Sequence, residues 1–226
     1  MQKSLDAGVL RSIEFFDGFL LRVLQEEFVE GSNETGLYGY YEVRVRANLG
    51  GLLDYEGAIA LFLMERFPAE RRFLHIGIGA GTTTSLLAAM GRRITGIEGD
   101  TNRAKLAAIV RNAVVRTWPS VEHRYRLIAG LFPEAVVPEA DLADQNPVIF
   151  FTNFGAVLTA DAEDRILDAL PGYSDVVLDL ALMGRVRSTE EQRADLAGRI
   201  ESRGFHEGIS VPAPSNAFYF HFVRRN

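Results

Sequence analysis

Gly77, Gly79 and Gly81 stand at every second position, and Glu98 follows 19 positions after Gly79. These are the residues of the chain whose types and spacing suggest chemistry. Glycines let the backbone turn sharply and let a ligand approach the peptide groups closely. A helix beginning just beyond them, at Thr82, directs free N–H groups at the loop, where they favour a carboxylate or a phosphate. An acidic side chain at the next strand end accepts hydrogen bonds from both hydroxyls of a ribose, and the spacing for such sites is about 20 residues. The chemistry implied is recognition of a nucleoside.

The elements that must position these residues are legible around them. Phe73-Leu74-His75-Ile76 is a short apolar run entering the glycine loop. Residues 82–89 continue as a helix, which Gly91 stops. Ile94-Thr95-Gly96-Ile97 forms a second strand ending at Glu98. A dinucleotide fingerprint needs glycine where Thr82 stands, and a P-loop needs a lysine that the loop lacks.

What remains, G-x-G-x-G with an acid at the next strand end, resembles the first motif of class I S-adenosylmethionine (SAM)-dependent methyltransferases. The resemblance implies that Glu98 holds the ribose and that Gly77, Gly79 and Gly81 cradle the methionine end of SAM. It also implies that the helix start at Thr82 aims donors at the SAM carboxylate. Two positions depart from the family pattern. His75 stands where an acid usually precedes the first glycine by two residues, and Leu131, after Gly130, stands where an acid near the adenine amino group is expected. His75, Gly130 and Leu131 are therefore carried as cofactor-site positions. The alternative reading of His75, and the one its apolar strand favours, is a core histidine with satisfied nitrogens.

Composition bounds the rest. The chain has 226 residues, 47% of them hydrophobic, a net charge of −6 and no cysteine. That suits one well-cored domain plus an extension, and it excludes disulfides, thiolate catalysis and cysteine-held metal. No global field draws such a chain to nucleic acid or to acidic membranes. Asp6, Glu14 and Asp17 interrupt any apolar signal segment, and no run approaches the ~20 apolar residues of a membrane span. A cytoplasmic protein is expected.

Residues 4–28 read as an amphipathic helix with Val9, Ile13, Phe16, Leu20 and Val23 on one stripe. It either packs on the domain, closes over the substrate or makes a homodimer contact. A tyrosine-rich strand follows over residues 37–46, and a helix over 54–67. After Glu98 come a helix over 101–117 with Asp100 as its N-cap, a third strand ending at Ala129, and a fourth, PVIFFT, over 147–152. A helix over 159–170, a fifth strand from Asp175, a helix opened by the S-x-x-E box at Ser188, and two terminal strands complete the order. The loop between the last two strands is short enough only for an antiparallel hairpin.

The expected fold is therefore α/β: a doubly wound, seven-stranded, mostly parallel sheet with a C-terminal antiparallel hairpin, helices on both faces and an N-terminal helical extension. Residues 1–69 form the extension and residues 70–226 the SAM-binding domain. Ligands of such sheets bind beyond the carboxyl ends of the strands. By that rule Arg71-Arg72 and Arg92-Arg93, at strand entries, are solvated charges rather than a phosphate grip. The acceptor side should be built by Asn153, which leaves the fourth strand, and by Glu42, Tyr41 and Tyr38 from the tyrosine-rich strand. None of these, nor His75, is marked as a general base.

The function implied is methyl transfer from SAM to an oxygen or nitrogen of a small-molecule acceptor, without nucleic-acid or membrane partners. A non-catalytic binder of SAM or another nucleoside, acting as sensor or assembly partner, is the alternative. A nicotinamide-dependent oxidoreductase stands third, opposed by Thr82 and the terminal hairpin.

Overall fold

Every residue of FLHI, ITGIE and VIFF is buried, as in strands covered on both faces. The computed structural model describes residues 18–19, 22–23, 53–135, 137, 146–152, 159–179, 182–183, 186–187, 189–213 and 217–225. Within them the order is α1 (Leu53–Arg66), β1 (Phe73–Ile76), α2 (Thr82–Ala89), β2 (Ile94–Glu98), α3 (Thr101–Thr117) and β3 (Tyr125–Ala129). There follow β4 (Val148–Phe151), α4 (Ala160–Ala169), β5 (Asp175–Asp179), β6 (Leu182–Met183), β7 (Val186–Arg187), α5 (Glu190–Glu201), β8 (Phe205–Ala213) and β9 (Ala217–Arg224).

Seven strands form one sheet in the order β3-β2-β1-β4-β5-β9-β8. Strands β1 to β5 pair in parallel, and β9 runs antiparallel to both β5 and β8. The expected mixed sheet with an antiparallel terminal hairpin is present. Strand order reverses at β1, which pairs with β2 on one side and β4 on the other, so the crevice of an open α/β sheet opens beyond the ends of β1 and β4.

The period of two along each strand sorts side chains into two cores. Phe73, Ile94, Val148, Phe150 and Val177 face α1, α2 and α3, whose Ile59, Leu63, Leu86, Leu106 and Val110 close over them. Leu74, Ile97, Ile149, Phe151 and Val176 face the opposite way, toward Ile166 and Leu167 of α4 and Leu196 and Ile200 of α5. α1 lies within the expected 1–69 extension, yet it supplies Ile59, Ala60 and Leu63 to the first core. Phe19 packs edge-on against Trp118 at 5.1 Å, and Val23 also rests on this core. The lid and dimer readings of the 4–28 helix, like the tyrosine-rich strand over 37–46, rest on residues outside the described ones.

Local stops follow the sequence signals closely. Gly91, at φ +93°, ends α2 with Gly91 N–H donating to Ala88 O and Arg92 N–H to Leu87 O. That pair of bonds is the Schellman arrangement. Asp100 caps α3 by accepting from the N–H groups of Asn102 and Arg103, each at 2.9 Å. The capping box of α5 lies one residue later than S-x-x-E suggests: Thr189 is the N-cap and Gln192 closes the box. The two-residue strands β6 and β7 were not anticipated, because two residues are too few to display a period.

Two arginines expected to be solvated are not. Arg92 is 7% exposed and donates to the carbonyls of Met64, Phe67 and Pro68, closing the C-terminus of α1. Arg71 pairs with Asp175 at 2.6 Å. Arg92→Ala leaves three part-buried or buried carbonyls without this donor. It is expected to lower the unfolding free energy by about 2 kcal/mol, read from urea denaturation. Arg93→Ala, at the exposed neighbour, should change it by less than about 0.5 kcal/mol.

Candidate functional site

The chain leaves β1 through Gly77, Gly79 and Gly81, with φ of 71°, 58° and 74°. Side chains rarely adopt these left-handed values, so glycine at all three positions is what lets the loop fold tightly. At Gly81 there is a second constraint, because an added Cβ would lie 2.7 Å from the Tyr125 hydroxyl. Ile78 anchors the middle of the loop from below. Gly96 of β2 makes room for it, since a Cβ there would come within 3.0 Å of two Ile78 carbons. The loop thus sits directly on β2, and Thr82 starts α2 with its side chain buried.

Glu98 ties this arrangement together. Its Oε2 accepts from Gly79 N–H at 2.7 Å, and its Oε1 accepts from Asp100 N–H at 2.9 Å. Its carbonyl accepts from Gly130 N–H at 2.9 Å, which places the β3 exit beside it. The side chain is 4% exposed. Among the described residues each carboxylate oxygen accepts one backbone hydrogen bond, and by its lone pairs each has the capacity to accept one more.

Leu131, immediately after Gly130, is 64% exposed. Its side chain lies against Gly99, where an added Cβ would meet Leu131 Cδ2 at 2.4 Å. The position that an acid would occupy therefore presents an apolar surface next to Glu98. Gly77, Gly79, Gly81, Glu98, Gly130 and Leu131 converge at the carboxyl ends of β1, β2 and β3, as their spacing suggests.

His75 stands apart from that group. It is 1% exposed, stacks on Phe150 at 4.1 Å, and bonds Thr84 Oγ1 through Nδ1 at 2.8 Å and Thr152 Oγ1 through Nε2 at 3.0 Å. Burial pushes its pKa down from the ordinary 6.5 to about 3. The ring is a neutral core cross-link between β1, α2 and the exit of β4, with neither nitrogen left for a ligand. Asn153, Glu42, Tyr41 and Tyr38 lie outside the described residues. Sequence reasoning missed the roles of Thr84 and Thr152, which pair with His75; an isolated histidine in an apolar strand was the available signal.

The structure carries the fold of class I SAM-dependent methyltransferases. It is similar to a TehB-like SAM-dependent methyltransferase from Corynebacterium glutamicum, with a TM-score of 0.60, 16% identity, and coverage of 85% of this chain and 100% of that one. The methyltransferase domain of bacterial CtHen1 matches with a TM-score of 0.60 and 12% identity over 76% of this chain and 98% of that one. The glycopeptide N-methyltransferase MtfA, in complex with sinefungin, matches with a TM-score of 0.60 and 12% identity over 78% and 89%. No protein-family model and no curated protein matches the sequence.

The buried histidine makes stability depend on pH in a definite direction. Between pH 3 and 6.5 the unfolded chain binds a proton at His75 that the folded chain does not. Stability from this residue is therefore complete above pH 6.5 and falls as the pH drops, by up to about 1.4 kcal/mol per unit. Denaturant unfolding at pH 7, 6, 5 and 4.5 should show wild type losing stability faster than His75→Gln, although the variant starts lower.

Proposed function

We propose that the chain is a SAM-dependent methyltransferase that acts on an oxygen or nitrogen of a small molecule. The observation that carries the reading is the Glu98 carboxylate, fixed by the N–H groups of Gly79 and Asp100 at the strand end where a ribose would lie. A nucleoside fits what surrounds it. Glu98 retains acceptor capacity for two ribose hydroxyls, the glycine loop leaves backbone exposed to a close approach, and Leu131 offers an apolar surface to a base. The structural neighbours include SAM-dependent enzymes, one of them holding sinefungin.

When bound, SAM supplies a methyl group made electrophilic by its sulfonium. Methyl transfer is an in-line displacement, so placing the two partners and excluding water provide much of the acceleration. Glu98 would fix the ribose, while Gly77, Gly79 and Gly81 with the start of α2 would receive the methionine carboxylate. His75 holds Thr152, the first residue beyond β4, to Thr84 of α2, so the floor of the acceptor side and the cofactor helix are one rigid unit. Asn153, Glu42 and Tyr41 remain the proposed acceptor-side residues. A cytoplasmic location, the absence of nucleic-acid and membrane partners, and homodimerisation through the 4–28 helix belong to the same proposal. Among the described residues no helix is long and apolar enough to cross a membrane.

A second reading, a non-catalytic binder of SAM or another nucleoside, draws on His75 and Leu131 replacing two acids usual in the family. Calorimetric titration with SAM, S-adenosylhomocysteine and NAD tests the common ground. Micromolar binding of SAM and S-adenosylhomocysteine is expected, weakened about tenfold or more in Glu98→Gln. Binding of NAD alone would overturn the methyltransferase assignment. Release of S-adenosylhomocysteine in the presence of small-molecule acceptors then separates the enzyme from the binder.

A further inference from the structure

The end of the sheet opposite the glycine loop is entered by arginines in register. Phe73 of β1 pairs with Ile94 of β2, and Ile94 with Tyr125 of β3. The preceding residues, Arg72, Arg93 and Arg124, therefore stand side by side at three adjacent strand starts. Their carbonyls are fixed by the sheet: Val148 N–H donates to Arg72 O, Phe73 N–H to Arg93 O and Ile94 N–H to Arg124 O. With strands about 4.8 Å apart, the row spans on the order of 10 Å.

These arginines, with Arg111 of α3 and Arg126 of β3, line a cleft of about 520 Å³. Glu122 is the one acidic residue among the described ones that line it. Arg111 is held in place by bonds from Nε to Tyr125 O at 2.9 Å and from Nη2 to Glu122 O at 3.3 Å, and its guanidinium lies over the Tyr125 ring. Two of its five N–H groups are used there. Among the described residues Arg124 donates to the neutral Ser120 hydroxyl at 3.4 Å, and Arg93 is exposed.

Four other arginines are neutralised by carboxylates. Arg71 meets Asp175, Arg165 meets Glu134, Arg199 meets Glu163 and Asp164, and Arg203 meets Asp168. Among the described residues no carboxylate lies within ion-pair distance of Arg93, Arg111 or Arg124. Arg93, Arg111 and Arg124, gathered in one concave site without a carboxylate partner among the described residues, stand out in a chain of net charge −6.

We propose that this cleft, formed by Arg72, Arg93, Arg124, Arg111 and Arg126, is a second ligand site that binds an oligophosphate group. Guanidinium forks match phosphate oxygens in geometry and charge, and a row of them matches successive phosphates. The volume is that of a small-ligand site. The Phe73 and Tyr125 rings on its lining are each 1% exposed, so neither offers a stacking platform for unpaired bases. The ligand chemistry is thus the phosphates themselves, free or carried by a nucleoside. The site is separate from the nucleoside site at the glycine loop and does not depend on the methyltransferase reading.

The test is calorimetric titration of the full chain with inorganic tripolyphosphate, with ATP and with a short single-stranded oligoribonucleotide, at about 50 and 200 mM salt. Wild type and the double variant Arg93→Glu/Arg124→Glu are compared, with circular dichroism and the unfolding midpoint as controls for folding. Tripolyphosphate should bind, weaken with salt, and lose at least about tenfold in affinity in the variant. Equal binding of ATP identifies the phosphates as what is recognised, and tighter binding of ATP that the variant still abolishes points to a nucleoside triphosphate. Binding of ATP alone, unchanged in the variant, would assign it to the glycine loop and overturn the proposal. So would an oligoribonucleotide that binds while tripolyphosphate does not, or no binding at all. In the last case the row serves only the negative ends of nearby helices. Should the double variant unfold, Arg93→Ala, at an exposed side chain, must give a measurable loss of tripolyphosphate affinity or the proposal fails.

Discussion

The Glu98 carboxylate is the interaction on which the geometry of this end of the molecule depends. One oxygen holds the glycine loop at Gly79, and the other holds the turn at Asp100 that starts α3. Its own carbonyl holds Gly130 at the β3 exit. Three connections that would otherwise be independent loops are thereby fixed relative to one residue. A loop of glycines is entropically expensive to order. The charge-assisted bond from its Gly79 N–H to a buried carboxylate is among the stronger compensations available to a backbone. The same carboxylate would be half of a ribose site, so the ligand would meet a surface already organised.

The two ends of the parallel sheet are different electrostatic places. At the carboxyl end, α2 and α3 begin, and their N-terminal N–H groups and positive dipole ends favour an anion. At the amino end α1, α2 and α3 finish, leaving carbonyls and negative dipole ends that favour cations. Arg92 answers that demand by capping α1. The row at Arg72, Arg93 and Arg124 arises from the same topology, since each parallel strand is entered from a helix end. The parallel register then gathers them into one line. An array that starts as compensation for helix termini becomes, once it exceeds what the termini use, a surface for an external anion.

What was legible in the sequence follows from how many independent constraints each feature carried. The glycine loop and Glu98 were readable because sterics and hydrogen-bond chemistry both restrict residue type at those spacings. The Asp100 cap was readable because few residues can receive two N–H groups at a helix start. The α5 cap was misplaced by one residue because Ser188 and Thr189 are both competent caps, each followed three residues later by a Glu or Gln. Arg92 and Arg93 look identical in sequence yet have opposite fates. One is turned into the end of α1 and the other outward, and that choice is made by the packing of α1, not by anything local. His75 carried too little local information to separate a ligand contact from a core cross-link; Thr84 and Thr152 decide it, from 9 and 77 residues away.

The terminal hairpin shows how a polar side chain can settle a register that apolar ones leave open. Phe220 and Phe222 of β9 face the second core, and a slip of two residues would still place aromatic rings there, at Phe218 and Phe220. His221 faces the other way, 2% exposed, with Nδ1 accepting from Arg66 Nε at 3.0 Å and Nε2 bonded to Asp175 Oδ1 at 2.8 Å. Since an arginine Nε always donates, Nδ1 carries no proton and Nε2–H is the donor to Asp175. Burial works to raise the Asp175 carboxyl, but hydrogen bonds from His221, Ser174 and Arg71, with the Arg71 charge, outweigh it and hold the group well below the usual carboxylate range. A two-residue slip would part both Asp175 Oδ1 and Arg66 Nε from His221, losing two hydrogen bonds at a part-buried site that no repacked ring replaces. The buried network therefore selects one alignment of β9 on β5, and with it the single antiparallel strand that completes the sheet.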